Sequence, residues 1–395
     1  MINLEEILGA ALPKQKAVRT KQGISIGSVI AGEFISDQLY CVTKDYKFGE
    51  KIGNFPLERF DLSSIISNWA QINVDPKLEN YIFIDTETTG LSGGTGTYAF
   101  LVGIGYFTDV GFRVEQYFMN DLAAEDKLLE AIISQLDDDK ILVSYNGKSF
   151  DINLLNTRFI ANGINYPIKK MQHIDLLHIA RRLWKGSFGS CSLQSIEKFV
   201  LRSFREIEDE IPGAEIPKVY FDYLELGIAD KLENVFLHNQ ADIVSLAVLL
   251  KLISDILEGK HNWLEQVVNP LGLAKLHFEF GSQDMAKEIL DKSKIEPECR
   301  KYLSFIHKQN ENWSAALPLW EAAVEDDDLY AFTELAKYYE HHLVKLTQAL
   351  KYTRSAIDII TRGYWVDPQK LAEFSHRQQR LQNKLDKANS VERKD

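Results

Sequence analysis

An α/β layer domain with a mixed sheet, followed by an all-helical region, is the fold class this sequence predicts, and three observations predict it. From Tyr81 a run of short apolar strands gives way to alternating helix and strand, the order of an α/β layer. After Asn269-Pro270 the strand signals stop and only helical patterns follow. In that region the small–apolar segments Ala286-Lys287-Glu288-Ile289-Leu290, Ala316-Leu317-Pro318-Leu319-Trp320 and Ala349-Leu350-Lys351-Tyr352-Thr353 recur at spacings of 30 and 33 residues. Such a period is that of stacked helical hairpins, with a plain helical bundle as the alternative.

The elements follow in order. Ser25 to Ser36 and Gln38 to Tyr46 read as strands and Ser63 to Ile72 as a short helix, making residues 1–79 a lead-in region. Tyr81 to Asp85 is an apolar strand ending in an acid, Tyr98 to Phe107 is apolar and glycine-spaced, and Phe112 to Met119 alternates. Leu128, Leu129, Ile132, Ile133 and Leu136 repeat at helical spacing within Ala124 to Leu136. Lys140 to Tyr145 is another strand. Ile152 to Asn162, Ile174 to Leu183, Ser192 to Val200 and Leu232 to Leu257 read as helices, with a loop marked by Pro212 and Pro217. The expected organisation is therefore 1–79, an α/β domain over 80–257, a helical region over 258–377, and a polar tail over 378–395 that is expected to fray.

Composition narrows the function. The 395 residues are 45 % hydrophobic and 26 % charged, which suits a globular chain with a sizeable core. No run of about eighteen apolar residues occurs, so no membrane span is expected. The first residues lack an apolar stretch with a cleavage site, and Cys41, Cys191 and Cys299 lie far apart; both fit a protein of the reducing cytoplasm. The net charge of −12 is concentrated in residues 81–255, with 16 Lys/Arg against 25 Asp/Glu. Bulk attraction of nucleic acid is excluded by that balance. Asp137-Asp138-Asp139 and Glu206-Ile207-Glu208-Asp209-Glu210 read as solvated surface.

Other acids sit where a solvated surface would not put them. In Phe83-Ile84-Asp85-Thr86-Glu87-Thr88-Thr89-Gly90, strand alternation places Asp85 and Glu87 on one face at the end of a buried strand. Two poorly solvated carboxylates there repel one another, and a hard divalent cation suits them. Asp151 closes Tyr145-Asn146-Gly147-Lys148-Ser149-Phe150 and opens a helix, where a structural cap is its alternative role. His238 and Asp242 are four apart on a long apolar helix, and so share a face; a surface ion pair is the alternative. Leu91-Ser92-Gly93-Gly94-Thr95-Gly96-Thr97 permits close approach to a phosphate or simply joins two strands, and no Gly-Lys-Ser/Thr follows it. Lys148, Arg181, Arg182 and Lys185 are candidate phosphate contacts, the last three beside Trp184 and followed by Phe188, a combination suited to stacking single-stranded bases. His173 and Asp175 precede a helix near these motifs, Asp175 as a candidate supporting carboxylate and His173 as a structural one.

Asp85, Glu87, Asp151 and Asp242, in that order and with Asn146 and Phe150 flanking, resemble the four acids of the DEDD exonucleases of the ribonuclease H-like superfamily. Asp85 to Leu91 running into Gly93-Gly94-Thr95-Gly96-Thr97, then Ser192-Leu193 and His238 to Leu246, is most similar to the YprB-like branch, which also carries a tetratricopeptide-like helical tail. The resemblance implies a ribonuclease H-like mixed sheet flanked by helices and a metal-dependent 3′–5′ exonuclease acting on single-stranded DNA or RNA. It implies two divalent ions, Mg²⁺ or Mn²⁺, held by the four acids, and His238 as the residue that positions or deprotonates water. DEDD enzymes place a Tyr four or a His five residues before the last Asp; here His238 stands four before Asp242, combining the two patterns. Thr88, Gly90, Leu91, Asn146, Lys148, Phe150, Arg181 and Arg182 are the expected substrate contacts, and the tail is the expected surface for a protein partner. The competing reading is a scaffold whose ribonuclease H-like domain is vestigial or binds nucleic acid without cutting it.

Overall fold

A computed structural model describes residues 26–90, 96–203, 211–262, 267–363 and 366–392. The chain forms two compact units. The first takes the described parts of Met1–Ser63, Ala70–His178 and Ser192–Asp255; the second takes those of Ser64–Trp69, Ile179–Cys191 and Ile256–Asp395.

The strands of the first unit are β1 (Glu33–Ser36), β2 (Leu39–Lys47), β3 (Lys51–Ile52), β4 (Phe55–Pro56), β5 (Tyr81–Thr88), β6 (Ala99–Phe107), β7 (Gly111–Met119), β8 (Ile141–Ser144) and β9 (Gln172–Asp175). Among the described residues they make a seven-stranded sheet in the order β1-β2-β7-β6-β5-β8-β9, while β3 and β4 pair apart. Pairing from β1 through β5 is antiparallel, and β5–β8 and β8–β9 are parallel, which makes the sheet mixed. The strands of the lead-in region thus belong to this sheet, β2 running the length of β7.

Strand β5 lies in the middle, and its residues Tyr81 to Ile84 are buried, as a strand covered on both faces requires. Its pairing with β8 ends at Phe83↔Val143, so Asp85 to Thr88 run on alongside β6 alone. The register shifts between Glu87 and Thr88, a bulge of the kind that re-aims side chains beside functional sites. The helix Leu232–Leu257 packs on the sheet over Gly103 and Gly105 of β6. A Cβ at Gly103 would overlap Asn239, and one at Gly105 would come to 2.5 Å from Ile243, so these two glycines let the helix approach. The helix Asp151–Ala161 is anchored by buried Arg158, which pairs with Glu125 at 2.6 Å and lies 4.1 Å over the ring of Tyr98.

In the second unit the helices Pro270–Phe280, Gln283–Lys292, Pro297–Gln309, Trp313–Val324, Leu329–His341, Leu346–Arg362 and Pro368–Glu392 each pack on the next. Ala286, Ala316 and Ala349 are fully buried on every second helix, so the spacing of 30 and 33 residues measures one helical hairpin.

Four expectations differ from this fold. Only Glu33–Ser36 of the segment from Ser25 is strand; Ile26–Val29 is a helical turn, and Ser25 lies outside the described residues. Ile174 and Asp175 end the short strand β9, and the helix begins at Leu176; four residues are too few for periodicity to declare a strand. Pro217 starts the helix Ile216–Leu226, since a first-turn proline loses no helical hydrogen bond. The polar run after Gln378 stays helical to Glu392, because Leu381 is buried and Arg380 and Lys384 bind Glu340. No helix among the described residues is long and apolar enough to cross a membrane.

Candidate active site

The carboxyl ends of the parallel strands β5, β8 and β9 lie side by side, the usual place for a ligand in an open α/β sheet. Asp85 of β5 is in register with Gly103 of β6, and Gly103 with Gln116 of β7, so the three form one row on one face. Asn239 fills the space above Gly103. Its Oδ1 accepts from Gln116 Nε2 at 2.9 Å, and its Nδ2 donates to Asp85 Oδ2 at 2.9 Å and to the Asp85 carbonyl at 3.2 Å. Gln116 donates also to the Phe236 carbonyl at 2.8 Å. Gln116 and Asn239 are 1 % and 0 % exposed, so this relay is dry and each amide has one workable orientation.

Asp151 is tied to the same strand. Its Oδ1 accepts from the Thr86 backbone N–H at 3.1 Å and from Thr86 Oγ1 at 2.6 Å. It therefore does not act as the helix cap: the cap position is Phe150, whose side chain makes no capping bond. The loop from β8 to Asp151 is shaped from beneath by buried Asp175, which accepts from the N–H groups of Asn146 at 2.7 Å, Lys148 at 3.1 Å and Leu177 at 3.2 Å. Asn146 takes a left-handed conformation at φ +67° within that loop. Ser144 Oγ bonds His173 Nε2 at 2.8 Å and accepts from the Gly147 N–H at 3.2 Å; a Cβ on Gly147 would overlap that hydroxyl. Burial holds His173 down to about 4, so it serves as a neutral prop.

Three residues after Asn239 on the same helix, Asp242 Oδ2 stands 3.5 Å from His238 Nε2. Burial raises the Asp85 carboxyl well above the usual range, and the charges of Asp242, Asp151 and Glu87 push it further; the Asn239 bond opposes them. Asp151 is pushed up to about 6 by burial, against the Thr86 bonds. The four acids thus share one electrostatic field at the end of β5. Their donors are all oxygens and their charges repel, which is the chemistry a hard divalent cation relieves. Among the described residues no group of three or more His, Cys, Asp or Glu side chains stands close enough together to hold a metal ion.

A cleft of about 560 Å³ opens beside Asp151, bounded by Thr86, Thr88, Gly90, Thr97 and Phe150, a residue 57 % exposed. It brings Thr88, Gly90 and Phe150 together with Asp151. Lys148 lines a different cleft, and Asn146 contributes its backbone N–H to Asp175. Leu91 to Thr95 and Glu206 to Glu210 lie outside the described residues. Arg181 and Arg182 belong to the second unit, where Arg182 pairs with Glu279 at 2.7 Å and lies 5.8 Å over Phe280. Sequence reasoning missed Thr86, Gln116 and the Asn239 amide. Thr86 and Asn239 sit inside the motifs, but Gln116 meets Asn239 across 123 residues and has no local signal.

A family model described as RNase_H superfamily matches residues 82–254, the span holding all four acids. Along 343 residues the chain is 30 % identical to the uncharacterized protein YprB of Bacillus subtilis (strain 168), covering 82 % of each. Among solved structures it is similar to the family B DNA polymerase of the hyperthermophilic archaeon Pyrobaculum calidifontis, with 15 % identity and a TM-score of 0.33, over 61 % of this chain and 34 % of the polymerase. The chain therefore spans about a third of that polymerase's length.

Proposed function

The chain belongs to the YprB family within the ribonuclease H superfamily, and from that membership we propose that it is a metal-dependent nuclease, a 3′–5′ exonuclease on single-stranded DNA or RNA in the cytoplasm. The observation that carries this reading is the double tether at the end of β5: Thr86 donates to Asp151 at 2.6 Å, and Asn239, three residues before Asp242, donates to Asp85 at 2.9 Å. Stability alone gives no reason to bring Glu87, Asp151 and Asp242 near enough to Asp85 to raise it, at the half-buried end of β5.

Asp85, Glu87, Asp151 and Asp242 would hold two divalent ions, Mg²⁺ or Mn²⁺, which supply an activated water and offset charge on the attacking and leaving oxygens. The protein groups do the rest. His238, beside Asp242, orients the attacking water and takes its proton. Asn239 fixes the rotamer of Asp85, and Thr86 fixes that of Asp151. Exposed Phe150 stacks a terminal base at the mouth of the cleft, where Thr88 and Gly90 line the path of the strand. Arg181 and Arg182 are proposed as further phosphate contacts, and the helical region as the surface for a protein partner.

Purified protein with Mn²⁺ or Mg²⁺ should shorten an end-labelled oligonucleotide, and Asp85→Ala should abolish the activity. Absence of metal-dependent cleavage on every single- and double-stranded DNA and RNA substrate would sink the reading. The scaffold alternative draws on the helical-repeat tail, and calorimetric titration with Mn²⁺ separates the two: a nuclease site binds the ion, a vestigial one does not.

A further inference from the structure

On the other side of the first turn of the helix Asp151–Ala161 lies a second cleft, of about 500 Å³. Lys148, Lys169 and Lys170 line it together with Asn73, Asn153 and His173, and among the described residues no carboxylate lines it. Three cations without an acid are an unusual concentration in a chain of net charge −12 and in a segment, 81–255, that is more acidic than the rest. Their placement is built in. Ile168, 1 % exposed, pins the short turn Ile168–Lys170 to the core, while Lys169 and Lys170 are exposed. Lys148 belongs to the loop that Asp175 holds, and Asn153 Nδ2 donates to the carbonyls of Lys148 at 2.8 Å and Ser149 at 3.1 Å. Asn153 also lines the cleft at Asp151, so one residue borders both.

We propose that Lys148, Lys169 and Lys170 form a phosphate-binding subsite that receives the backbone of the same single strand whose end lies at Asp151, some nucleotides away from the scissile bond. The inference rests on the nuclease reading and adds to it the class of substrate: a strand long enough to pass the first turn of that helix, rather than a mononucleotide or a dinucleotide. Phosphate is the occupant because, beside its apolar residues and the neutral His173, the described lining of the cleft carries three lysines and no carboxylate. Its charge is local, so it supplies hold on nucleic acid that the acidic surface as a whole denies.

The test is binding by the full chain in chelator, where nothing is cut. A fluorescent oligothymidylate or oligouridylate of about twelve nucleotides is titrated against wild type and against a Lys169→Ala/Lys170→Ala variant at several salt concentrations. Both lysines are exposed, so the variant folds. The expected result is binding weakened about tenfold at low salt and a salt slope reduced by about 1.4, which is about 0.7 for each single-strand phosphate no longer neutralised. The advantage of the long oligomer over a dinucleotide should shrink with it. Equal affinity and equal slope in the two proteins, no binding by wild type, or displacement by oligoglutamate of matched charge as effective as by unlabelled strand would overturn the subsite. Cleavage by wild type, abolished in Asp85→Ala, is read separately. Metal-dependent cleavage with lysine-independent binding removes the subsite and leaves the nuclease; lysine-dependent binding without cleavage does the reverse.

Discussion

Asn239 Nδ2 donates to Asp85 Oδ2 at 2.9 Å, across 154 residues of chain, and it does so from a fully buried position. Its other end is fixed by Gln116 at 2.9 Å, so the amide can present only its nitrogen to the acid. The helix that bears Asn239 also bears Asp242, and this one bond therefore sets the spacing between two acids from opposite ends of the domain.

Removing that bond should cost both stability and activity. Asn239→Ala strands one of the two Gln116 N–H groups, the other keeping the Phe236 carbonyl, and should lower unfolding free energy by about 1–3 kcal/mol in urea titration. Gly103→Ala, which forces a methyl against the Asn239 oxygen, should cost a similar amount, about 1–3 kcal/mol, by moving the helix. In both, nuclease kcat should fall more than stability at assay temperature explains. A variant with wild-type unfolding would show that the relay is slack.

The charges that act on Asp85 make a second forecast. Asp242→Asn removes one of the charges that raise Asp85, so in chelator it should melt above wild type. The same variant should lose most of the stabilisation that Mn²⁺ confers on wild type, since ligand binding to the folded state raises melting temperature by mass action. A variant that melts lower in chelator and keeps the whole Mn²⁺ increment would mean the acids are not one site.

His173 predicts acid sensitivity of the loop that carries Asn146 to Asp151. Its folded pKa is lowered by burial to about 4 from an ordinary 6.5, so between these values the unfolded chain binds the proton and the folded one does not. Its contribution is complete above pH 6.5 and is lost as pH falls from there toward 4, amounting to about 3 kcal/mol. His173→Gln should flatten the pH dependence of urea unfolding across that window; an unchanged profile would relocate the sensitivity elsewhere.

In the second unit, the Glu340 side chain is fully buried among Arg377 at 3.5 Å, Arg380 at 2.7 Å, Lys384 at 2.7 Å and His341 at 3.6 Å. Its burial would raise its pKa, but these cations outweigh that and hold it below the usual range. The stability it contributes is thus present above its unfolded value of 4.5 and lost as pH falls through the lower folded one. Glu340→Gln should destabilise the unit by about 1–3 kcal/mol, Arg377, Arg380 and Lys384 being 18–44 % exposed and able to turn to water. Limited proteolysis should then cut first in the last turns of Pro368–Glu392.

What could be read without the fold was local. Alternation along Tyr81 to Glu87 put Asp85 and Glu87 on one face, spacing put His238 and Asp242 on one side of a helix, and buried alanines marked the hairpins of the second unit. Strand β9 was missed because four residues carry no period that distinguishes them from the helix that follows. Gln116 and the role of Asn239 were missed because their partners are chosen by sheet register and by how closely a helix lies, and no window of sequence contains either.

By itself, then, the sequence determined which side chains carry charge at the ends of strands and helices, because those periodicities follow from backbone geometry alone. The tertiary structure decided which of them meet. Gly103 admits the helix, the helix brings Asn239 and Asp242 over β5, and Asp175 bends the loop that delivers Asp151 and Lys148. Those outcomes depend on contacts between segments that are distant in the chain, where the absence of one Cβ or the presence of one buried hydrogen bond settles the position of an entire element.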